Sequence, residues 1–326
     1  MTLSIIYLIG GLALILFGAN YLTDGSSSIA RRMGISDLVV GLTVVAFGTS
    51  APELAISVIS ALGGSGELAI GNAVGSNIFN ILVIIGITAM VRPMTIGRSI
   101  MQNEIPLVIL SSAVILIMAN TPLLDGIAPA TLTRSNGLIL LLFFAIFMRY
   151  TFAQAKSLPE PTRDPVAQQT AAIPEMPVWR AALAIVGGLA ALIFGGDRFV
   201  DGASYIASAM GVSDAVIGLT IVACGTSLPE LATSIAAALK GKPGIAIGNV
   251  IGSNIFNIFF VLGTSATLTP LQLGSIGNVD LLTLLGASIL FLLFARIIGK
   301  QTITRGEGAF MTALYVAYVV WLVTAA

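Results

Sequence analysis

Apolar stretches of about twenty residues, each closed by a short polar cluster, recur along nearly the whole chain and predict ten membrane-crossing helices. The expected spans fall near residues 3–23, 35–62, 68–91, 104–120, 133–153, 178–200, 212–239, 244–269, 279–298 and 306–325. No basic segment precedes the first apolar run and no polar cleavage segment follows it, so that run reads as a retained helix. Two spans break the apolar pattern. Gly48-Thr49-Ser50-Ala51-Pro52-Glu53 interrupts the second, and Gly225-Thr226-Ser227-Leu228-Pro229-Glu230 interrupts the seventh. A Gly, a Pro and a carboxylate are costly where lipid offers neither water nor counter-charge, so the pair marks a polar site assembled from two halves.

The polar breaks belong to a duplication. Residues 10–86 align without a gap to 187–263 at an offset of 177, with more than half the positions identical. Equivalent points lie five spans apart. Because five is odd, the second half enters the membrane from the opposite face, the inverted-topology arrangement of secondary transporters. The fold expected is therefore all-α and polytopic, with ten transmembrane helices in two inverted five-helix repeats, residues 1–152 and 178–326. They are joined by a flexible linker over 153–177 that carries Pro159, Pro161, Pro165 and Pro174.

Composition agrees with the pattern. The chain is 56% hydrophobic and 9% charged, with a mean hydropathy of +1.01, far more apolar than a soluble domain. Ten spans place thirteen of the fifteen basic residues on one side and leave only Arg134 and Arg198 on the other. By the positive-inside rule that side is cytoplasmic, so a plasma-membrane protein with both termini outside and the linker inside is expected. A net charge of zero without a basic run argues against nucleic acid as a partner. The absence of histidine removes imidazole catalysis, histidine proton relays and the commonest transition-metal sites. Carboxylate, amide, hydroxyl and carbonyl oxygens remain, and these suit hard cations. The lone Cys224 reads as a small packing residue.

The third span of each half carries a polar companion to the acidic break, Gly71-Asn72-Ala73-Val74-Gly75-Ser76-Asn77-Ile78-Phe79-Asn80 and Gly248-Asn249-Val250-Ile251-Gly252-Ser253-Asn254-Ile255-Phe256-Asn257. Ser76 and Asn80 share a helical face, as do Ser253 and Asn257. Thr49 and Glu53 stand at the same spacing, and Pro52 frees carbonyls in the preceding turn near Ala46. A plainer reading makes Ser50 and Glu53 a capping box, the glycines Gly71, Gly75, Gly248 and Gly252 a packing face, and Asn80 and Asn257 interhelical hydrogen-bond donors. Asp24, Asp37, Asp201 and Asp214 read as caps at span ends. Glu104 and Asp280 read as interfacial, which leaves Glu53 and Glu230 as the deep carboxylates.

These doubled motifs resemble the α-repeats of the cation/calcium exchanger superfamily, particularly its prokaryotic sodium/calcium exchangers, and the similarity covers nearly the whole chain. The resemblance implies that Glu53 and Glu230 bind calcium at the centre and share flanking sodium sites. It adds hydroxyl or carbonyl oxygens from Thr49, Ser50, Thr226 and Ser227, backbone carbonyls from Ala46 and Ala223, and further oxygens from Ser76, Asn80, Ser253 and Asn257. It also implies that the first and sixth helices slide to expose the site alternately, with Gly10, Gly11, Gly18, Gly187, Gly188 and Gly195 giving them smooth faces. Potassium-dependent and several archaeal members carry Asp where this chain has Asn257, so two formal negative charges are expected here in place of three.

The expected function is exchange of Ca²⁺ for Na⁺ by alternating access at this two-carboxylate site, with calcium and the driving ion competing for it. Proton coupling is the alternative, since desolvation raises the proton affinity of a Glu. A passive cation channel or an intramembrane hydrolase would use the same acids in other ways. No enzyme activity and no cofactor are expected, only Ca²⁺, Na⁺ or H⁺ and membrane lipid as partners. One monomer suffices to form the site.

Overall fold

The computed structural model describes residues 2–126, 128–155, 176–210, 223–298 and 301–325. Residues 156–175 of the expected linker lie outside them, as do residues 211–222, which begin the expected seventh span and include Asp214. The helices are α1 (Thr2–Met33), α2 (Asp37–Thr49), α3 (Ala51–Leu62), α4 (Gly66–Val91), α5 (Ile100–Ala119), α6 (Arg134–Ala155), α7 (Val178–Ala209), α8 (Leu228–Leu239), α9 (Pro243–Leu268), α10 (Asn278–Ile298) and α11 (Arg305–Ala325). Seven of these are long and apolar enough to cross a membrane, and the pair α2 and α3, bent by 46° around Ser50, makes an eighth if it is counted as one span. The two other expected spans correspond to α8, whose lead-in lies outside the described residues, and to α11.

The helices fall into two compact units, and each draws on both sequence repeats. One comprises Met1–Thr49 and Arg149–Gly252, the other Ser50–Met148 and Ser253–Ala326.

In the first unit α1 and α7 lie against each other along a seam of glycines. A Cβ placed on Gly11 would stand 2.6 Å from the Gly195 carbonyl oxygen, and one on Gly18 would stand 2.7 Å from that of Gly188. Gly188 and Gly195 meet the backbone of α1 as closely, so these four glycines let the helices touch main chain to main chain. Gly10 and Gly187, expected on the same smooth faces, have nothing within 4 Å. Gly18→Ala should therefore lower stability by about 1–3 kcal/mol through overpacking. Gly10→Ala should be neutral or stabilising by up to about 1 kcal/mol through helix propensity. Thermal unfolding of the purified variants in detergent checks the contrast, and equal shifts would refute the seam.

Both helices run well past their expected ends near residues 23 and 200. Hydropathy falls at Asp24-Gly25-Ser26-Ser27-Ser28, yet the three serines are buried against protein and remain helical. Gly34, at φ +63°, then closes α1, with the Ile35 amide bonding back to the Ala30 carbonyl at 3.0 Å. Asp24 and Asp201 accordingly lie inside helices and are not caps. Asp24 pairs with Lys240 at 2.8 Å, and Asp201 pairs with Arg198 at 3.2 Å. Lys242, in the turn between α8 and α9, is buried 3.9 Å from Asp24. Desolvation pulls its ammonium pKa below the ordinary value, opposed by the charges of Asp24 and Asp37. Within the same unit α2 and the start of α9 meet closely, because Cβ atoms on Gly248 and Gly252 would stand 2.7 Å from the Leu38 carbonyl and 2.6 Å from the Ala46 Cβ.

The second unit packs α3, α4, α5, α10 and α11 with the end of α9. Two short antiparallel pairs tie its loops together, β1 (Met94–Thr95) with β4 (Thr302–Ile303) and β2 (Thr131–Leu132) with β3 (Leu271–Gln272). Asp280 sits at the start of α10, where its carboxylate accepts from the Gly277 amide at 2.9 Å and the Tyr318 hydroxyl at 2.6 Å. Glu104, in the π-helical opening turn of α5, is fully buried against protein, a third buried carboxylate among the described residues.

Candidate functional site

Both acidic motifs fold the same way. Ser50 (φ −84°, ψ 8°) and Ser227 (φ −92°, ψ 7°) leave helical geometry, a Pro follows within the first two helical positions, and Glu53 and Glu230 occupy the first turns of α3 and α8. Pro fits there because its missing amide is one the helix leaves unbonded anyway. A carboxylate in the first turn gains from the positive end of the helix dipole. The capping-box reading fails, since neither serine side chain makes a capping hydrogen bond. Glu53 and Glu230 are both 0% exposed.

One asparagine holds each break in place. In the second unit the Asn72 side-chain amide donates to the Glu53 backbone carbonyl at 3.2 Å and to the Ser57 hydroxyl at 3.0 Å. In the first unit Asn249 donates to the Glu230 backbone carbonyl at 3.2 Å and to the Ser234 hydroxyl at 3.1 Å. All three residues of one set are related to the other by the 177-residue offset, so one hydrogen-bond design appears twice. Asn249 also accepts from the Thr49 hydroxyl at 3.0 Å, and that hydroxyl lies 3.0 Å from the Val45 carbonyl and 3.4 Å from the Ala46 carbonyl. Its counterpart Thr226 has a buried Oγ1 with no hydrogen-bond partner among the described residues.

The companion amides occupy a second recurring distortion. A π-helical turn runs over Asn80–Ile84 in α4, and another over Phe256–Leu262 in α9 contains Asn257, the repeat equivalent of Asn80. Such turns widen the helix and re-aim its side chains, and they are frequent at functional sites. In the second unit Asn77 donates to the Asn254 carbonyl at 3.0 Å and accepts from the Asn257 amide at 3.1 Å, which leaves the Asn257 Oδ1 buried without a partner. Asn80 is 0% exposed, and neither its Oδ1 nor its Nδ2 has a hydrogen-bond partner. A buried amide so placed costs about 1–3 kcal/mol per unmet group.

The twelve expected oxygen donors divide evenly. Ala46, Thr49, Ala223, Thr226, Ser227 and Glu230 fall in the first unit, whereas Ser50, Glu53, Ser76, Asn80, Ser253 and Asn257 fall in the second. Ser50, Ser76, Ser227 and Ser253 are buried with the acids. Direct contact is seen between Thr49 and the Ala46 carbonyl, while Asn257 is reached through Asn77, a residue not among the twelve. Among the described residues no three acidic, cysteine or histidine groups converge, so a cation here would rely largely on neutral oxygens. The residues not foreseen are Asn72, Asn77, Asn249 and Asn254 with Ser57 and Ser234. All of them are identical between the two sequence halves, which was the signal available for finding them.

The sodium/calcium exchanger protein family matches residues 3–153 and 180–324. The putative antiporter CaxA of Alkalimonas amylolytica is 38% identical over 98% of each chain. The sodium/calcium exchanger MaX1 of Methanosarcina acetivorans is 31% identical over 99% of each chain. A solved structure of the sodium-calcium exchanger NCX_Mj superposes with a TM-score of 0.80 at 32% identity over 98% of each chain.

Proposed function

This chain belongs to the sodium/calcium exchanger family of membrane antiporters, and on that premise we propose that it exchanges Ca²⁺ for Na⁺ by alternating access, with Glu53 and Glu230 as the two charged ligands of one site. The observation that carries this reading is the twice-used framework in which an asparagine pins the backbone of a fully buried glutamate. Two carboxylates neutralise one Ca²⁺ or two Na⁺, and hydroxyl and amide oxygens from Thr49, Ser50, Ser76, Asn80, Thr226, Ser227, Ser253 and Asn257, with the Ala46 and Ala223 carbonyls, complete the coordination. The unmet amide of Asn80 and the unmet Oδ1 of Asn257 support this set.

Strand pairing supports ten spans with inverted halves. β1 beside β4 puts the loops after α4 and α10 at one membrane face, and β2 beside β3 puts the loops after α5 and α9 at one face. The chain must therefore cross an even number of times between Leu132 and Leu271. With α6, α7 and α9 as three crossings, a fourth at α8 makes the number even, in keeping with ten spans.

Emptying the site leaves two desolvated charges, at a cost of several kcal/mol, so reorientation is fast only with an occupant. Because calcium and sodium neutralise the same carboxylates, they displace one another instead of crossing together. The glycine seam makes α1 and α7 the natural moving pair.

Calcium uptake into proteoliposomes under separately imposed sodium and proton gradients tests the reading. Uptake should follow an outward sodium gradient at equal pH. Uptake that follows only the proton gradient would establish proton coupling in its place, and uptake that needs neither gradient would indicate a passive pore.

A further inference from the structure

A polar cavity lies in the second unit, apart from the acidic motifs. It encloses about 190 Å³ and is lined by Arg98, Met101, Gln102, Arg296 and Gln301. Arg98 precedes α5 and Arg296 lies in the last turns of α10, so both guanidinium groups stand where the chain leaves the membrane. The β1–β4 pair fixes the two loops relative to each other, and the Ile96 amide donates to the Gln301 carbonyl at 2.7 Å. The Gln301 amide in turn bonds the Ala295 carbonyl at 3.0 Å. Gln301 holds a φ of +72°, a conformation that disfavours any side chain but is imposed here by those bonds. Among the described residues the cavity lining contains no acid, and neither arginine takes part in an ion pair.

We infer that this cavity binds the phosphodiester headgroup of an anionic phospholipid. Two guanidinium groups offer forked donors that match phosphate oxygens, and two carboxamides can donate beside them. Ile297 and Ile298, immediately after Arg296, are 66% and 60% exposed. They give acyl chains an apolar surface next to the headgroup, which a free phosphate would not need. The charge asymmetry of the sequence places this end of the helices on the cytoplasmic side, where basic pockets between transmembrane helices take anionic headgroups.

The test is native mass spectrometry of the purified protein titrated with phosphatidylglycerol, phosphatidylcholine or inorganic phosphate. Phosphatidylglycerol should remain bound in preference to phosphatidylcholine. Each arginine should contribute about fivefold, so Arg98→Gln should weaken retention about fivefold and the Arg98→Gln/Arg296→Gln variant about thirtyfold. Both side chains are exposed, so the variants should keep the wild-type unfolding temperature. Arg149→Gln, which removes an exposed charge from another region expected on the same side, should leave retention unchanged. Undiminished retention in the double variant would overturn the assignment, as would an equal loss in Arg149→Gln. Displacement of phosphatidylglycerol by inorganic phosphate at similar concentration would replace the lipid with a free anion as the ligand.

Discussion

Glu53→Gln and Glu230→Gln are each expected to reduce calcium flux at least about a hundredfold while the protein stays folded. Glutamine keeps the size of the side chain, so no cavity opens and the glycine seam and helix contacts persist. The scaffold also survives for a specific reason. Asn72 and Asn249 bond the backbone carbonyls of these residues and not their carboxylates, so the substitution leaves both hydrogen bonds in place. In the proposed site, what disappears is one of two formal charges opposite a doubly charged ion, and both glutamates are 0% exposed. A neutral amide cannot replace that attraction at low dielectric. Removing a buried charge also spares the empty protein its desolvation cost, so the unfolding temperature should hold or rise. Calcium flux retained in either variant would remove that residue from the ligand set.

Asn249→Ala should be the more damaging of two matched substitutions in the scaffold. It breaks hydrogen bonds to the Glu230 carbonyl, the Ser234 hydroxyl and the Thr49 hydroxyl, and it leaves the first two groups buried without that partner. Asn72→Ala breaks two bonds, to the Glu53 carbonyl and the Ser57 hydroxyl. At about 1 kcal/mol or more per lost bond, the expected losses are about 3 and 2 kcal/mol. Flux should fall in both cases because the helix turn that carries the glutamate is no longer pinned. Equal unfolding shifts, or full flux in Asn249→Ala, would show that these amides do not set the geometry of the breaks.

Much of this architecture was legible in the chain because it is written twice. The apolar periodicity located the helices, and the offset of 177 tied Glu53 to Glu230 and Asn80 to Asn257. Hydropathy misplaced the end of α1, since it measures compatibility with lipid, whereas Ser26, Ser27 and Ser28 are buried against protein. The position of Glu104 near a span end did not disclose that the π-helical turn at Ile100–Glu104 buries it fully against protein. The π-helical turns at Asn80 and Asn257 left no mark on the apolar pattern, because a single inserted residue shifts register without changing composition. Asn72 and Asn249 were visible as identical pairs, but their role depends on which backbone carbonyl lies within reach, and only the folded chain provides that.

Equilibrium binding of radioactive calcium to the purified protein, titrated against sodium, tests the central claim most directly. One calcium per chain should bind, sodium should displace it competitively, and Glu53→Gln and Glu230→Gln should each abolish the binding. Calcium that stays bound at saturating sodium, or in either variant, would contradict a single two-carboxylate site shared by the exchanging ions.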